Sequence, residues 1–177
     1  VTNPPRYGLL HARVIPEYGG DTIWVNLELA YQQLSPVMRQ MLEGLVVHHD
    51  VDEIFHRSVE RTLGPEKAAL VRRELGAGAD HPLVIRHPLT GEKLLYVAGY
   101  WMKHVRDMTE DESRTLLDFL MRHVTQPGLQ VRWRWRANDV AIWDERATLH
   151  RALGDHYPQH RLMRRCTVDD PAHPPAV

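Results

Sequence analysis

From Leu129 to Arg136 the chain alternates without a break. Val131, Trp133 and Trp135 fall on one side, and Arg132, Arg134 and Arg136 on the other. A period of two predicts a half-buried β-strand. Tyr7 to Ile15 and Asp21 to Val25 are rich in β-branched and aromatic residues and predict two earlier strands on either side of a turn at Pro16 to Gly20. Leu83 to Arg86 and Lys93 to Val97 predict a further pair around the Pro88 to Gly91 turn. Val140 to Trp143 and Arg161 to Val168 complete the strand set. The helical period is clearest from Thr109 to Val124, where Thr109 and Glu112 have capping-box spacing and Leu116, Leu117 and Leu120 share a side. Asn26 can cap a short helix carrying Leu29, Ala30 and Leu34. Ser35-Pro36 opens another, with Val37, Met41, Leu42 and Leu45 as its apolar stripe. Val51 to Leu75 is charged, helix-prone and split at Gly64-Pro65. Gly76 to Asp80 reads as a flexible joint, and the proline-rich tail from Asp169 as loose.

Many short strands with helices gathered mid-chain predict an α+β protein on a small antiparallel sandwich. The expectation is one domain over residues 1–177, with residues 51–76 as a helical surface insertion serving as a lid or a subunit contact. A length of 177 residues, 43% of them apolar and 25% charged, suits one globular domain. The formal net charge of −1 gives no global pull toward nucleic acid or an anionic membrane. The interleaved arginines and tryptophans of 131–136 point to opposite faces, so they do not form one nucleic-acid platform. The single cysteine, Cys166, rules out an internal disulfide framework and fits a reducing, cytoplasmic setting. No apolar run approaches the roughly 18 residues of a membrane span.

The chemistry concentrates between Trp143 and Arg165. His150 sits on a short apolar segment, a loop with Gly154, Asp155 and Pro158 follows, and Arg161 and Arg165 return on a second segment. Positions 161, 163 and 165 of a strand share a face. A histidine and two arginines on neighbouring strands suit a metal together with a dianionic acid, because imidazole ligates iron and zinc and guanidinium grips carboxylate or sulfonate through paired hydrogen bonds. His48-His49-Asp50 also has metal-ligand spacing, and a His48/Asp50/His150 zinc hydrolase stays open as a competing reading.

Three motifs in order resemble the iron(II)- and 2-oxoglutarate-dependent dioxygenases of the taurine dioxygenase (TauD/TfdA) family. They are Gly19-Gly20-Asp21-Thr22 with Trp24 and Asn26, then His87-Pro88-Leu89-Thr90-Gly91, and finally Trp143-Asp144-Glu145-Arg146, Thr148-Leu149-His150, Arg161 and Arg165. The resemblance covers nearly the whole chain. It implies a double-stranded β-helix, or jelly roll, with flanking helices and with its first strands lying before this chain. It implies Fe(II), 2-oxoglutarate and O2, with His150 as one metal ligand and the other two expected just before Val1. Arg161 and Thr22 would hold 2-oxoglutarate, while Arg165 and Trp101 would meet a small anionic substrate such as taurine, an alkyl sulfonate or an alkyl sulfate. It also implies a homo-oligomer, dimer or tetramer. Glu145 departs from the family's usual Asn, and a pairing with Arg146 is expected for it. The competing class is a non-catalytic fragment or pseudoenzyme acting as an interaction module.

Overall fold

The computed structural model describes residues 5–169. Its strands form four small antiparallel sheets. β1 (Tyr7–Val14) lies between β11 (Leu162–Val168) and β9 (Val140–Asp144). β2 (Thr22–Asn26) lies between β10 (Thr148–Ala152) and β8 (Gln130–Trp133). β3 (Val46–His49) lies between β4 (Ala79–Pro82) and β7 (Met102–Val105). β5 (Val84–Arg86) and β6 (Lys93–Leu95) form a hairpin. Trp143 of β9 meets Trp24 of β2 edge-on at 5.4 Å between ring centroids, so side chains of the first two sheets meet between them. With the helices beside these sheets, the architecture is the α+β arrangement that the periodicities predict.

The apolar core lies to one side of that pair. It is built from α1 (Leu27–Gln32), α5 (Glu110–Val124), the β3 sheet and the β5–β6 hairpin, with Leu27, Leu42, Leu83, Leu94, Leu95, Val105 and Leu120 fully or almost fully buried. Burying each such leucine contributes about 1.5–3 kcal/mol. The helix starts are secured locally. The Asn26 side chain accepts from the Leu29 amide at 2.8 Å, and Thr109 and Glu112 form the expected capping box. Buried Ser113 accepts from the Val105 amide at 2.8 Å and ties α5 to β7. α3 (Glu53–Leu63) and α4 (Pro65–Leu75) break at Gly64-Pro65 as expected. They connect the paired strands β3 and β4, and neither helix buries a residue fully. Among the described residues no helix is long and apolar enough to cross a membrane.

Three expectations need correction. β8 ends at Trp133, and Val131 and Trp133 are 63% and 48% exposed, so only Trp135, beyond the strand, is buried. β8 is an edge strand with a neighbour on one side, which leaves its apolar positions without cover. In α2 (Pro36–Leu42) Val37 and Met41 face solvent, whereas Leu42 is buried and Met38 packs against the core. A helix of two turns on the surface has room for one contact line, here the i, i+4 pair 38 and 42. Gly76 to Asp80 is not wholly a joint, because Ala79 and Asp80 open β4 and pair with His49 and His48. The tail beyond Asp169 lies outside the described residues.

Candidate functional site

The segment carrying His150 is shaped by Asp144. Its Oδ1 accepts from the amides of Arg146 at 2.8 Å and Ala147 at 3.3 Å, and its carbonyl accepts from Thr148 Oγ1 at 2.6 Å. These bonds close the turn between β9 and β10. The other carboxylate oxygen lies 3.0 Å from Nε2 of buried His87. His87 Nδ1 accepts from the amides of Leu89 and Thr90, so the ring proton sits on Nε2 and is donated to Asp144. The His87–Gly91 turn and the Trp143–His150 segment, two separate motifs in sequence, are thus one hydrogen-bonded unit.

His150 pairs in register with Trp24, and its ring lies 5.0 Å from that of Trp143. Burial lowers its pKa; the Glu145 carboxylate opposes that shift and the Arg165 guanidinium adds to it. The net shift favours the unprotonated imidazole, the form that ligates metals. Glu145 Oε2 stands 3.6 Å from His150 Nδ1, and Glu145 Oε1 accepts a short hydrogen bond from Arg165 Nη2. Glu145 is thus paired across strands, to Arg165 of β11.

Arg161 immediately precedes β11 and is fastened to the Gly19–Thr22 segment. Its Nε donates to the Gly20 carbonyl at 2.9 Å, and the Gly20 amide donates to Asp155 Oδ1 at 2.8 Å. Gly20 has a φ of +71°, and a Cβ there would stand 2.8 Å from Arg161 Cδ. Glycine is required at this position both for its conformation and for its lack of bulk. Asp21 is buried and receives Arg132 Nε at 2.7 Å, so the exposed Arg132 is spent on an ion pair at the edge of the sheet. Arg161 Nη2 is buried and has no hydrogen-bond partner. Burial lowers the pKa of Arg161, with Asp21 opposing. A shielded guanidinium donor without an acceptor is costly, on the order of 1–3 kcal/mol, and an incoming acceptor would relieve that cost.

Thr22 is buried and accepts from Trp135 Nε1 at 2.9 Å. It shares a face of β2 with Trp24, the register partner of His150, one strand repeat away. Trp135, Trp24 and Trp143 make a continuous aromatic line from Thr22 to His150, with centroid separations of 6.0 and 5.4 Å. Trp24 Nε1 and Trp143 Nε1 are buried without partners as well.

A cleft of about 920 Å³ opens on the other side of His150, with Glu145, Arg165, Trp101, Tyr100 and Phe55 in its wall. Trp101 stacks on Tyr100 at 4.9 Å and meets Phe55 edge-on at 5.0 Å. The structure therefore brings His150, Arg165 and Trp101 to one cleft. Thr22 and Arg161 do not line it; Thr22 stands at the far end of the aromatic line and Arg161 beside the Gly20 turn. Sequence reasoning missed the opposite wall, where His49, His81 and Tyr96 cluster with ring centroids 5.2–5.8 Å apart. Burial, with His81 and His48 acting in the same direction, pushes the His49 pKa down to about 4. The signal for this cluster was the pairing of residues 46–49 with 79–82, hidden by reading Gly76 to Asp80 as a joint. His48 points to Asp80 at 2.7 Å, and among the described residues no three His, Cys, Asp or Glu side chains group to hold a metal. The His48/Asp50/His150 zinc site is therefore not formed.

The family described as "Taurine catabolism dioxygenase TauD, TfdA family" matches residues 1–167. An alkylsulfatase of Acinetobacter baylyi is 36% identical over 93% of this chain and 52% of its own length. An alpha-ketoglutarate-dependent sulfate ester dioxygenase of Pseudomonas putida is 36% identical over 93% of this chain and 55% of its own. The crystal structure of AAD-2 in complex with Mn(II) and N-oxalylglycine superposes with a TM-score of 0.80 at 29% identity, covering 97% of this chain and 66% of that one. The chain spans about half the length of the curated relatives it matches.

Proposed function

The chain belongs to the TauD/TfdA family of taurine catabolism dioxygenases, and from that premise we propose that it serves an iron(II)- and 2-oxoglutarate-dependent dioxygenase hydroxylating a small anionic organic substrate of the alkyl sulfate or sulfonate type. The observation that carries this reading is the buried, unpartnered Nη2 of Arg161, fastened by its Nε to the Gly20 turn. A carboxylate is the acceptor that a fixed guanidinium fork recognises best. Iron(II), 2-oxoglutarate and O2 supply the oxidising chemistry when bound, with succinate and carbon dioxide as coproducts. Within this chain, His150 offers an imidazole whose unprotonated form is favoured by burial. In this reading His150 is one of the metal ligands.

Each remaining residue has a positional task. Arg161 receives the far carboxylate of 2-oxoglutarate. The Thr22 oxygen already accepts from Trp135, so its own proton is left to donate to the same cosubstrate. Trp24 and Trp143 wall this region off from water, which strengthens the charge interactions inside it. Arg165 receives the anionic head of the substrate, and Trp101 with Tyr100 presents an apolar surface to the rest. In this reading the two facing sheets are part of a double-stranded β-helix, and α3 and α4 are a surface insertion whose Phe55 and Leu75 border the cleft.

The test is an anaerobic titration of iron(II) and 2-oxoglutarate, read by the weak visible metal-to-ligand band, on the whole encoded protein and on Arg161→Ala. A band that is present in the parent and weakened in the variant supports the reading. Absence of a band at saturating iron would sink it and favour a non-catalytic interaction module.

A further inference from the structure

Glu145 occupies an unusual position. Its side chain is only 11% exposed, against 48% for Arg165. One carboxylate oxygen holds Arg165 Nη2, and the other stands 3.6 Å from His150. Room for it is made by Gly8 of the adjacent strand, where a Cβ would lie 2.4 Å from Glu145 Oε1 and from the Trp143 ring. The Glu145 amide donates to the Arg6 carbonyl at 2.8 Å, which fixes the backbone from which the side chain reaches inward. The Arg165 guanidinium also lies 5.9 Å from the centroid of the Trp143 ring. The carboxylate is thus seated by backbone, by a missing side chain and by an aromatic wall, in the space between the cleft arginine and His150.

We propose that Glu145 is a specificity-determining residue that competes, as an internal anion, with the substrate head group for Arg165. An external anion reaches Arg165 only by displacing a carboxylate that is already paired. Once displaced, Glu145 is left largely buried, without its partner and close to a second negative charge. Both effects weaken anion binding, because a shielded unpaired charge costs more than an exposed one and like charges repel. The cleft therefore binds organic anions weakly by design and selects those whose apolar part, set against Trp101 and Tyr100, supplies enough contact to drive the exchange. A bare inorganic anion lacks that contact.

This inference rests on the reading of Arg165 as the receiver of the substrate head group, and the experiment separates the two. Hexyl sulfate and hexan-1-ol have the same chain and differ in charge. Both are titrated calorimetrically, without oxygen, into the whole encoded protein and into Glu145→Gln, Glu145→Asn and Arg165→Ala. The expected result is hexyl sulfate binding at least tenfold tighter to Glu145→Gln and Glu145→Asn than to the parent, with hexan-1-ol unchanged within twofold. Hexyl sulfate no tighter in either variant, or both probes shifting together, overturns the proposal. If Arg165→Ala leaves hexyl sulfate binding unchanged, the head-group reading itself fails. A weakening there combined with no gain in the Glu145 variants retains that reading and rejects the role of Glu145.

Discussion

The two ends of this molecule are filled with different material. Around α1, α5 and the β3 sheet the interior is leucine and valine, with residues such as Leu42, Leu94 and Leu120 at zero exposure. Between the β1 and β2 sheets lie buried Thr22, Trp135 and Trp143 with half-buried Trp24 and Arg161, and buried donor atoms on Trp24, Trp143 and Arg161 have no acceptor. The first interior is filled mainly by apolar side chains, although His49 Nε2 of the β3 sheet, at the cleft, is buried without a partner. The second carries unmet hydrogen-bonding capacity, which a protein keeps where a ligand is to meet it. Stability and recognition are thus divided between regions, and a substitution should reveal which it serves by what it damages.

The largest stability loss is expected at the leucine-filled end. Leu120→Ala removes a fully buried side chain from the α5 stripe and should cost about 2–5 kcal/mol in denaturant unfolding. The molecules that remain folded should bind iron(II) and 2-oxoglutarate as the parent does; a weakened band per folded molecule would blur the division. Arg161→Leu makes the opposite trade. It should weaken 2-oxoglutarate by roughly 10- to 100-fold, in line with the loss of a charge-assisted pair. Its unfolding midpoint should change little, since removing a buried unpartnered donor offsets the lost Nε bond to the Gly20 carbonyl. A clear fall in midpoint would show that Arg161 supports the fold.

His87→Ala tests the hinge between the ends. Loss of its bond to Asp144 should destabilise by about 1–3 kcal/mol and also weaken metal binding, because the same Asp144 shapes the turn before His150. A variant that changes one property alone would separate the turn from the site. A further effect is confined to acid pH. His49 titrates normally at 6.5 and is pushed down to about 4 in the fold, so the unfolded chain takes up its proton first as pH falls. Its contribution is intact above pH 6.5 and is lost between 6.5 and about 4. The stability-against-pH slope in that window should be shallower in His49→Asn than in the parent. Equal slopes would place the acid sensitivity elsewhere.

Legibility in the sequence follows the same division. The capping box at Thr109 and Glu112 and the Leu116–Leu117–Leu120 side of α5 were readable because a helix repeats within a few residues. The same rule misled at Val131 and Trp133, where alternation gives a face but not what covers it. The motifs pointed to Thr22, His150, Arg161 and Arg165, but not to how they are held. Gly20 was readable as a turn, whereas its role in admitting the Arg161 side chain depends on a contact spanning 141 positions. Glu145 was visible as a departure from the family pattern, and its partner Arg165 lies 20 positions away on another strand. Local periodicity does not encode such pairings, because they depend on which strands the completed fold sets side by side.

The aromatic line has a practical consequence for anyone handling the protein. Three of its five tryptophans, Trp24, Trp135 and Trp143, form the line of rings that joins Thr22 to His150, and Trp143 stands 5.0 Å from the His150 ring. Light emitted on excitation at the indole band comes in large part from the walls of the site itself. On the proposed reading, a paramagnetic ion at His150 would sit close to one emitter and dim it, while unfolding at the leucine-filled end would shift the colour only when the walls themselves come apart. Occupancy and integrity can therefore be followed in one cuvette, without a dye.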